Sequence, residues 1–385
     1  MSSRCMDARS SFGDKPDVTE TAPQTDPQTA TQADLPIDAV LPELIAALRA
    51  RGRAVLQAPP GAGKTTRVPL ALLEAGLTPG RIVMLEPRRL AARAAAERMA
   101  ATLGETVGET VGYRIRGEAL VSKATRIEVV TEGIMTRMLQ SDPELAGVGA
   151  VLFDEFHERS LNADFGLALC LEVADALRDD LIVMAMSATL DAAPVAALMQ
   201  APMVTSEGRS FPVDLRWADA PLGPKARLEP AVAALVLRAL EETAETPGGG
   251  VLVFLPGAPE IHKVSAALQG RLPVDVRLRP LYGSMPFKEQ QAALRPESDG
   301  RKLVLATAIA ETSLTIPDIR VVVDAGQARR ARFDPGSGMT RLVTELAARA
   351  ESTQRAGRAG RVAPGVCYRL WTKGEDGARP ASRPR

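Results

Sequence analysis

The sequence predicts an α/β protein of two parallel-sheet domains in tandem, and three observations lead there. From Ile37 onward, short apolar, β-rich runs alternate with helical stretches rich in alanine, leucine and arginine. That alternation gives a parallel sheet covered by helices on both faces. A second series of the same kind follows a stretch of glycine, polar residues and proline at 206–212, which marks a hinge. The third observation is the small-residue loop in "LQAPPGAGKTTRVPL" (56–70), set between an apolar run and a helix-like run.

The elements follow in order. Residues 1–36 are rich in Thr, Pro, Gln and Asp, carry six acidic residues and lack a continuous apolar run. They read as a disordered tail, neither secretory nor mitochondrial. The first domain is expected over 37–205, with strands at 54–57, 82–85, 127–130, 150–153 and 181–186. The second is expected over 206–372, with strands at 251–255, 276–278, 303–306 and 321–323. The final stretch, "KGEDGARPASRPR" (373–385), has no periodicity and is expected to be disordered.

Composition narrows the function classes. A chain of 385 residues, 45% hydrophobic and 24% charged, is soluble and long enough for two domains. Lys+Arg and Asp+Glu balance at 47 each, so any polyanion site must be local, built from clustered arginines. Cys5, Cys170 and Cys367 are far apart and odd in number, which points to a reducing cytoplasm and away from a disulfide framework or zinc site. No apolar stretch reaches the ~18 residues of a membrane span. Only His157 and His262 are present, leaving little room for histidine-based metal chemistry.

The spacing Ala58-x-x-Gly61-x-Gly63-Lys64-Thr65 fits a phosphate-binding loop with alanine in place of its first glycine. Small residues let backbone N–H groups turn inward around phosphate oxygens, ahead of a helix N-terminus. Pro60, Gly61, Ala62, Gly63 and Thr66 would shape this cradle; Lys64 would reach the β/γ-phosphates and the Thr65 hydroxyl would ligate Mg²⁺. An ordinary glycine turn shares part of this spacing. After the apolar "AVLF" comes "DEFHERS" (154–160), two adjacent carboxylates at a strand end. Asp154 would hold Mg²⁺ through a water, and Glu155 would accept a proton from the water attacking the γ-phosphate. Acidic pairs also cap helices; joined to the phosphate loop in one sheet, this pair points to nucleotide hydrolysis.

"APPGAGKTT", "EPRRLAARAAAERMA", "TEGIMTRML", "DEFHERSLNAD", "MSATLD", "LVFLPG", "ATAIAETSLTIPDI" and "QRAGRAGR" occur in the order and spacing of motifs in the DEAH-box superfamily 2 helicases. The chain resembles that family from about 37 to 371, and looks like its bacterial HrpB-type branch. The resemblance implies two RecA-like domains, use of ATP or another NTP with Mg²⁺, and single-stranded nucleic acid, RNA by family, as partner. It implies Lys64, Asp154, Glu155, Gln354, Arg358 and Arg361 as catalytic residues and Thr65, Asp154 and Glu155 around the metal. Arg98 matches the position that stacks on the base, and His157, Ser187 and Thr189 match elements coupling nucleotide state to domain movement. Arg88, Arg89, Thr131, Arg137, Thr307 and Thr312 match positions gripping a strand's backbone, to which Arg114 and Arg116 of "GYRIRGE" could add. The bland alternative for "QRAGRAGR" is a basic solvated helix face, since the spacing puts Arg355, Arg358 and Arg361 near one side.

The chain departs from the family pattern in places. Phe12 is the only aromatic before the phosphate loop, so no upstream base reader is visible and base selectivity should be poor. Leu294 stands where some relatives place a stacking aromatic, and Ala308 where asparagine is usual. Relatives continue past "GVCYRLW" (365–371) into winged-helix, helical-bundle and OB-like domains, so a sequence ending at Arg385 is expected to be a fragment, a truncated product or a shortened variant. The expected function is an ATP-dependent RNA helicase or translocase core; the alternatives are a catalytically weak nucleic-acid-binding fragment and a DNA translocase of the same fold.

Overall fold

The computed structural model describes residues 35–381 apart from 189–191, 209–210, 224–225, 246–248, 298, 312–315 and 317. Residues 1–34 of the tail expected over 1–36 lie outside the described residues, as do Cys5, Phe12, Thr189 and Thr312. Leu35 and Pro36, assigned to that tail from the sequence, belong to the fold. A 3-10 turn runs Pro36–Val40 and carries the fully buried Ile37.

In the first half the chain runs α1 (Leu41–Arg51), β1 (Arg53–Gln57), α2 (Lys64–Glu74), β2 (Arg81–Glu86), α3 (Arg89–Thr102), β3 (Val111–Ile115) and β4 (Glu118–Leu120). It continues through β5 (Ile127–Thr131), α4 (Glu132–Ser141), β6 (Val148–Phe153), α5 (Leu161–Ala176), β7 (Ile182–Ser187), α6 (Ala193–Met199) and β8 (Met203–Thr205). The sheet has the order β4-β3-β5-β2-β6-β7-β1-β8, parallel throughout except where β3 meets β4. Central parallel strands are covered on both faces and must be apolar on both. In β6 and β7 every residue is buried. Alternate side chains still sort into two cores: Ala54, Leu56, Ile82 and Met84 join one, Val55, Val83 and Leu85 the other. The register sets Gln57 beside Ser187 and Leu85 beside Phe153, so the carboxyl ends of β1, β2, β6 and β7 share one edge.

The second half contains β9 (Val213–Trp217), α7 (Leu228–Glu242), β10 (Gly250–Phe254), α8 (Ala258–Leu268), β11 (Val276–Leu281), α9 (Phe287–Leu294), β12 (Arg301–Ala306) and β13 (Ile319–Asp324). Then come β14 (Gln327–Asp334), β15 (Met339–Leu346), α10 (Arg349–Gly357), β16 (Gly365–Arg369) and α11 (Lys373–Gly377). A parallel sheet of order β11-β12-β10-β13-β16-β9 forms the body, while β14 and β15 pair antiparallel as a separate hairpin. Among the described residues no helix is long and apolar enough to cross a membrane.

Every strand expected from an apolar run is present, but β3, β4, β8, β9, β14, β15 and β16 have no such run to announce them. The hairpin is mostly exposed along β15 and is tied by ion pairs instead: Arg332 Nε to Glu345 Oε1 at 2.8 Å and Arg330 Nη1 to Glu345 Oε2 at 3.1 Å. The expectation of disorder over 373–385 is corrected for 373–381, and 382–385 lie outside the described residues. Thr372 accepts from the Glu375 N–H at 3.2 Å and starts α11, and Arg379 is buried. A capping box and a packed arginine leave no periodic signature, which is why the sequence reading missed them.

Candidate active site

β1 delivers the chain into the small-residue loop, whose root is tied to β7 by Ala58 N–H donating to Ser187 C=O at 2.9 Å. Ala58 is fully buried in the core beneath the loop, so alanine serves where the motif's first glycine would stand. Gly61 and Gly63 have φ of 90° and 94°, left-handed values that other residues rarely adopt. A Cβ on Gly63 would also lie 2.6 Å from Leu35 Cδ1. Gly63 caps α2, and the helix begins at Lys64. Ala62, behind the loop, accepts from the Ile37 N–H at 3.2 Å.

Lys64 is 4% exposed, with Nζ 2.8 Å from Glu155 Oε1 and 3.7 Å from Asp154 Oδ1. Burial opposes its charge, but Glu155 and Asp154 outweigh burial and hold its pKa above the usual value. Glu155 is pushed down to about 2: burial raises it, and Lys64 and then His157 more than reverse that. Burial raises Asp154 and, more strongly, Glu86, the latter also through the charges of Asp154 and Glu155. Thr65 Oγ1 donates to Asp154 Oδ2 at 2.5 Å. Glu155 and Arg159, both left-handed, bracket the tight turn Phe156–Glu158. His157 Nδ1 accepts from the Ala188 N–H at 3.2 Å, which leaves Nε2, 3.3 Å from Glu155 Oε2, to carry the ring proton. Burial lowers the His157 pKa below its ordinary value. The turn after β6 and the end of β7, where Ser187 is buried, are thereby joined.

These groups open on a cleft of about 660 Å³ lined by the phosphate loop, Thr66, Arg98 and Glu155 on one side and by Phe287, Gln291, Leu294 and Arg361 on the other. Arg358 is buried, with Nε donating to Glu311 C=O at 3.0 Å. Burial first, then the neighbouring charge of Arg361, depresses its pKa, against the opposing pull of Glu155. Gln354 sits half-buried on α10, outside the residues lining the cleft. The solvated-face alternative fails for Arg355, 1% exposed, which turns into the second sheet. Its Nη1 lies 2.8 Å from Asp324 Oδ1, its Nη2 3.5 Å from Glu311 Oε2, and its guanidinium is stacked on Phe254. The three arginines part because α10 ends at Gly357 and a 3-10 turn, Arg358–Gly360, follows.

The candidate nucleic-acid residues divide. Arg89, Arg116 and Arg137 are exposed; they follow β2, β3 and β5, parallel neighbours whose carboxyl ends continue the edge that holds the cleft. Thr131, half-buried, ends β5 and caps α4. Arg114 pairs with Glu128 at 2.9 Å. Arg88 crosses to the second half, donating to Ala308 C=O at 2.7 Å and Ile309 C=O at 3.3 Å, beside half-buried Thr307. Because that bond uses the backbone of Ala308, alanine in place of asparagine does not weaken it.

Sequence reasoning missed a second set of residues across the cleft. Gln291 Nε2 donates to Glu97 Oε2 at 2.6 Å, and Arg93 stands over the Phe287 ring at 4.5 Å. The signal was the matching spacing of four in Arg93/Glu97 and Phe287/Gln291. Glu86 and Arg355 were overlooked because the burial of a charged residue is set by tertiary contacts. Among the described residues no group of three or more His, Cys, Asp or Glu could hold a metal ion. Thr65 and Asp154 instead offer the sparse protein ligand set that suits Mg²⁺ shared with phosphate and water.

Comparison with known proteins adds independent findings. Residues 39–198 match the family model "DEAD/DEAH box helicase" and residues 233–363 the model "Helicase conserved C-terminal domain". ATP-dependent RNA helicase HrpB of Escherichia coli K12 is 51% identical over 353 residues, 91% of this chain and 43% of that protein. ATP-dependent RNA helicase HrpA of the same organism is 34% identical, over 92% of this chain and 27% of that protein. The crystal structure of Escherichia coli DEAH/RHA helicase HrpB superimposes with a TM-score of 0.84 at 51% identity, covering 91% of this chain and 44% of that one. The chain thus spans less than half the length of these relatives.

Proposed function

Since the chain belongs to the DEAD/DEAH box helicases and shares 51% identity with an HrpB over 91% of its length, we propose that it is the motor core of an ATP-dependent RNA helicase, hydrolysing NTP to shift its grip on a single strand. Two sheet domains parted near 206 would close and reopen with each cycle. The observation that carries this reading is one cleft lined by Lys64, Thr65 and Glu155 from the first half and Arg361 from the second. Lys64 binds the β/γ-phosphates as a buried point charge. Mg²⁺, taken up through Thr65 and Asp154, would neutralise charge on the phosphates. A phosphate drawing Lys64 away relieves the pull that holds Glu155 near 2 and raises its basicity toward the attacking water. Arg358 and Arg361 stabilise charge on the transferred group, and only closure of the two halves places them there. Arg98 and Leu294 flank the mouth where the base would lie.

The test is phosphate release with Mg²⁺ and ATP or GTP, with no nucleic acid, poly(U) RNA or single-stranded DNA. RNA should stimulate turnover, with ATP and GTP within about tenfold in kcat/KM. Stimulation by DNA alone would favour a DNA translocase. Lys64→Ala should abolish hydrolysis, and Glu155→Gln should retain binding of a fluorescent ATP analogue while blocking turnover. A Glu155→Gln variant that turned over normally would remove Glu155 as the base.

A further inference from the structure

The chain after β16 folds back beneath the hairpin. Arg379, 7% exposed, extends Nη1 to the carbonyls of Gly326 at 2.7 Å and Ala347 at 3.1 Å. These residues immediately precede β14 and follow β15, and Ala347 N–H donates to Gly326 C=O at 2.9 Å, so Arg379 closes the root of the hairpin. Its guanidinium lies over the buried Trp371 ring, 3.9 Å from the centroid. Immediately beyond it, Pro380 and Ala381 accept from the N–H groups of Arg349 at 2.9 Å and Ala350 at 3.1 Å. These are the first N–H groups of α10, which no residue of the helix itself can satisfy. Farther along α10, Arg355 bonds Asp324, whose Oδ1 also accepts from Gly326 N–H at 2.8 Å. The helix leading to Arg358 and Arg361 is therefore fixed at its start by this strap and in its middle by the hairpin root that the strap holds.

We propose that Arg379 is a positioning residue for Arg358 and Arg361: by pinning the hairpin root and the first turn of α10, it sets where Arg361 stands in the cleft and where Arg358 is held against the Glu311 carbonyl. This role rests on the hydrolase reading above. Arg379 is not among the residues lining the cleft, so its loss should appear in turnover rather than in binding.

The experiment measures RNA-stimulated phosphate release, ATP dependence and melting temperature for the parent chain and for Arg379→Ala, Arg379→Lys, Gly326→Ala and Trp371→Phe. Arg379→Ala should lower kcat about tenfold with KM for ATP changed by less than about twofold, the pattern of a misplaced transition-state group. Arg379→Lys, whose ammonium can reach the two carbonyls but loses the planar stack on Trp371, should recover part of the kcat lost in Arg379→Ala. Gly326→Ala should copy Arg379→Ala, because its Cβ would stand 2.5 Å from Arg379 Nη2 at a φ of 72°. Trp371→Phe should lower the melting temperature and leave kcat of the folded protein intact. The role is overturned if folded Arg379→Ala keeps the parental kcat, if only KM changes, or if lysine restores melting temperature without rate. A parent chain that releases no phosphate overturns the hydrolase reading and this role with it, whereas an active parent beside an unimpaired Arg379→Ala overturns this role alone.

Discussion

Glu155 stands at φ 49° and ψ 33°, a backbone state that costs a residue with a side chain about 1–3 kcal/mol. The strain turns its carboxylate between the Lys64 ammonium and the His157 ring, so one residue meets both the phosphate-binding cation and the link to β7. His157 supplies the pH dependence. Its pKa is lowered in the fold by burial, while the unfolded chain takes up this proton near its ordinary 6.5. The stabilisation is complete above that pH and is lost as pH falls through the folded value, because protonating Nδ1 breaks the Ala188 bond. Hydrolysis should hold between pH 8 and about 6.5 and decline below it, and a kcat–pH profile of His157→Gln should lack this acid limb. Cys170 and Cys367 lie in the cores, and burial pushes both thiols up to about 12. At pH 8 neither should react with an aromatic disulfide reagent in the native protein, and both should react in guanidinium; rapid native labelling of either would contradict this packing.

At the scale of elements, α3 and α9 form a latch across the cleft. Arg93 and Glu97 meet Phe287 and Gln291, and Leu90, also on α3, reaches into an apolar core of the second sheet. A double-mutant cycle on Glu97→Ala and Gln291→Ala, read by urea unfolding, should give a coupling of about 0.5–1.5 kcal/mol, as for one net hydrogen bond. Strict additivity would mean that the two side chains act separately.

For the whole molecule, charge balance and local function are compatible because three exposed arginines, Arg89, Arg116 and Arg137, follow the carboxyl ends of the neighbouring strands β2, β3 and β5. Single-strand binding should weaken as salt rises, and Arg89→Gln, Arg116→Gln and Arg137→Gln should each flatten the log K against log salt slope by about 0.7. Arg88→Gln should leave that slope nearly unchanged and instead reduce RNA stimulation, since Arg88 is engaged by Ala308 and Ile309 across the cleft. Fluorescence anisotropy over a salt series separates the two behaviours.

The sequence by itself determined the parallel α/β class, the strands built on apolar runs, and the residue types at the phosphate loop and the acidic strand end. These are local: strand burial writes continuous apolar runs, and phosphate binding demands small residues and a lysine at fixed spacing. Tertiary structure decided what such patterns cannot encode. Arg355, Arg358 and Arg361 look alike in "QRAGRAGR", yet one enters the second sheet, one is buried against the Glu311 carbonyl and one lines the cleft, because the helix ends between them. Arg88 and Arg89 are adjacent, yet only Arg88 reaches the second half. The segment after Lys373 carries no apolar period, and its order comes from partners distant in sequence: the carbonyls of Gly326 and Ala347 and the first N–H groups of α10. A charged side chain's destination depends on which groups the fold brings within hydrogen-bonding reach, and local sequence does not carry that information.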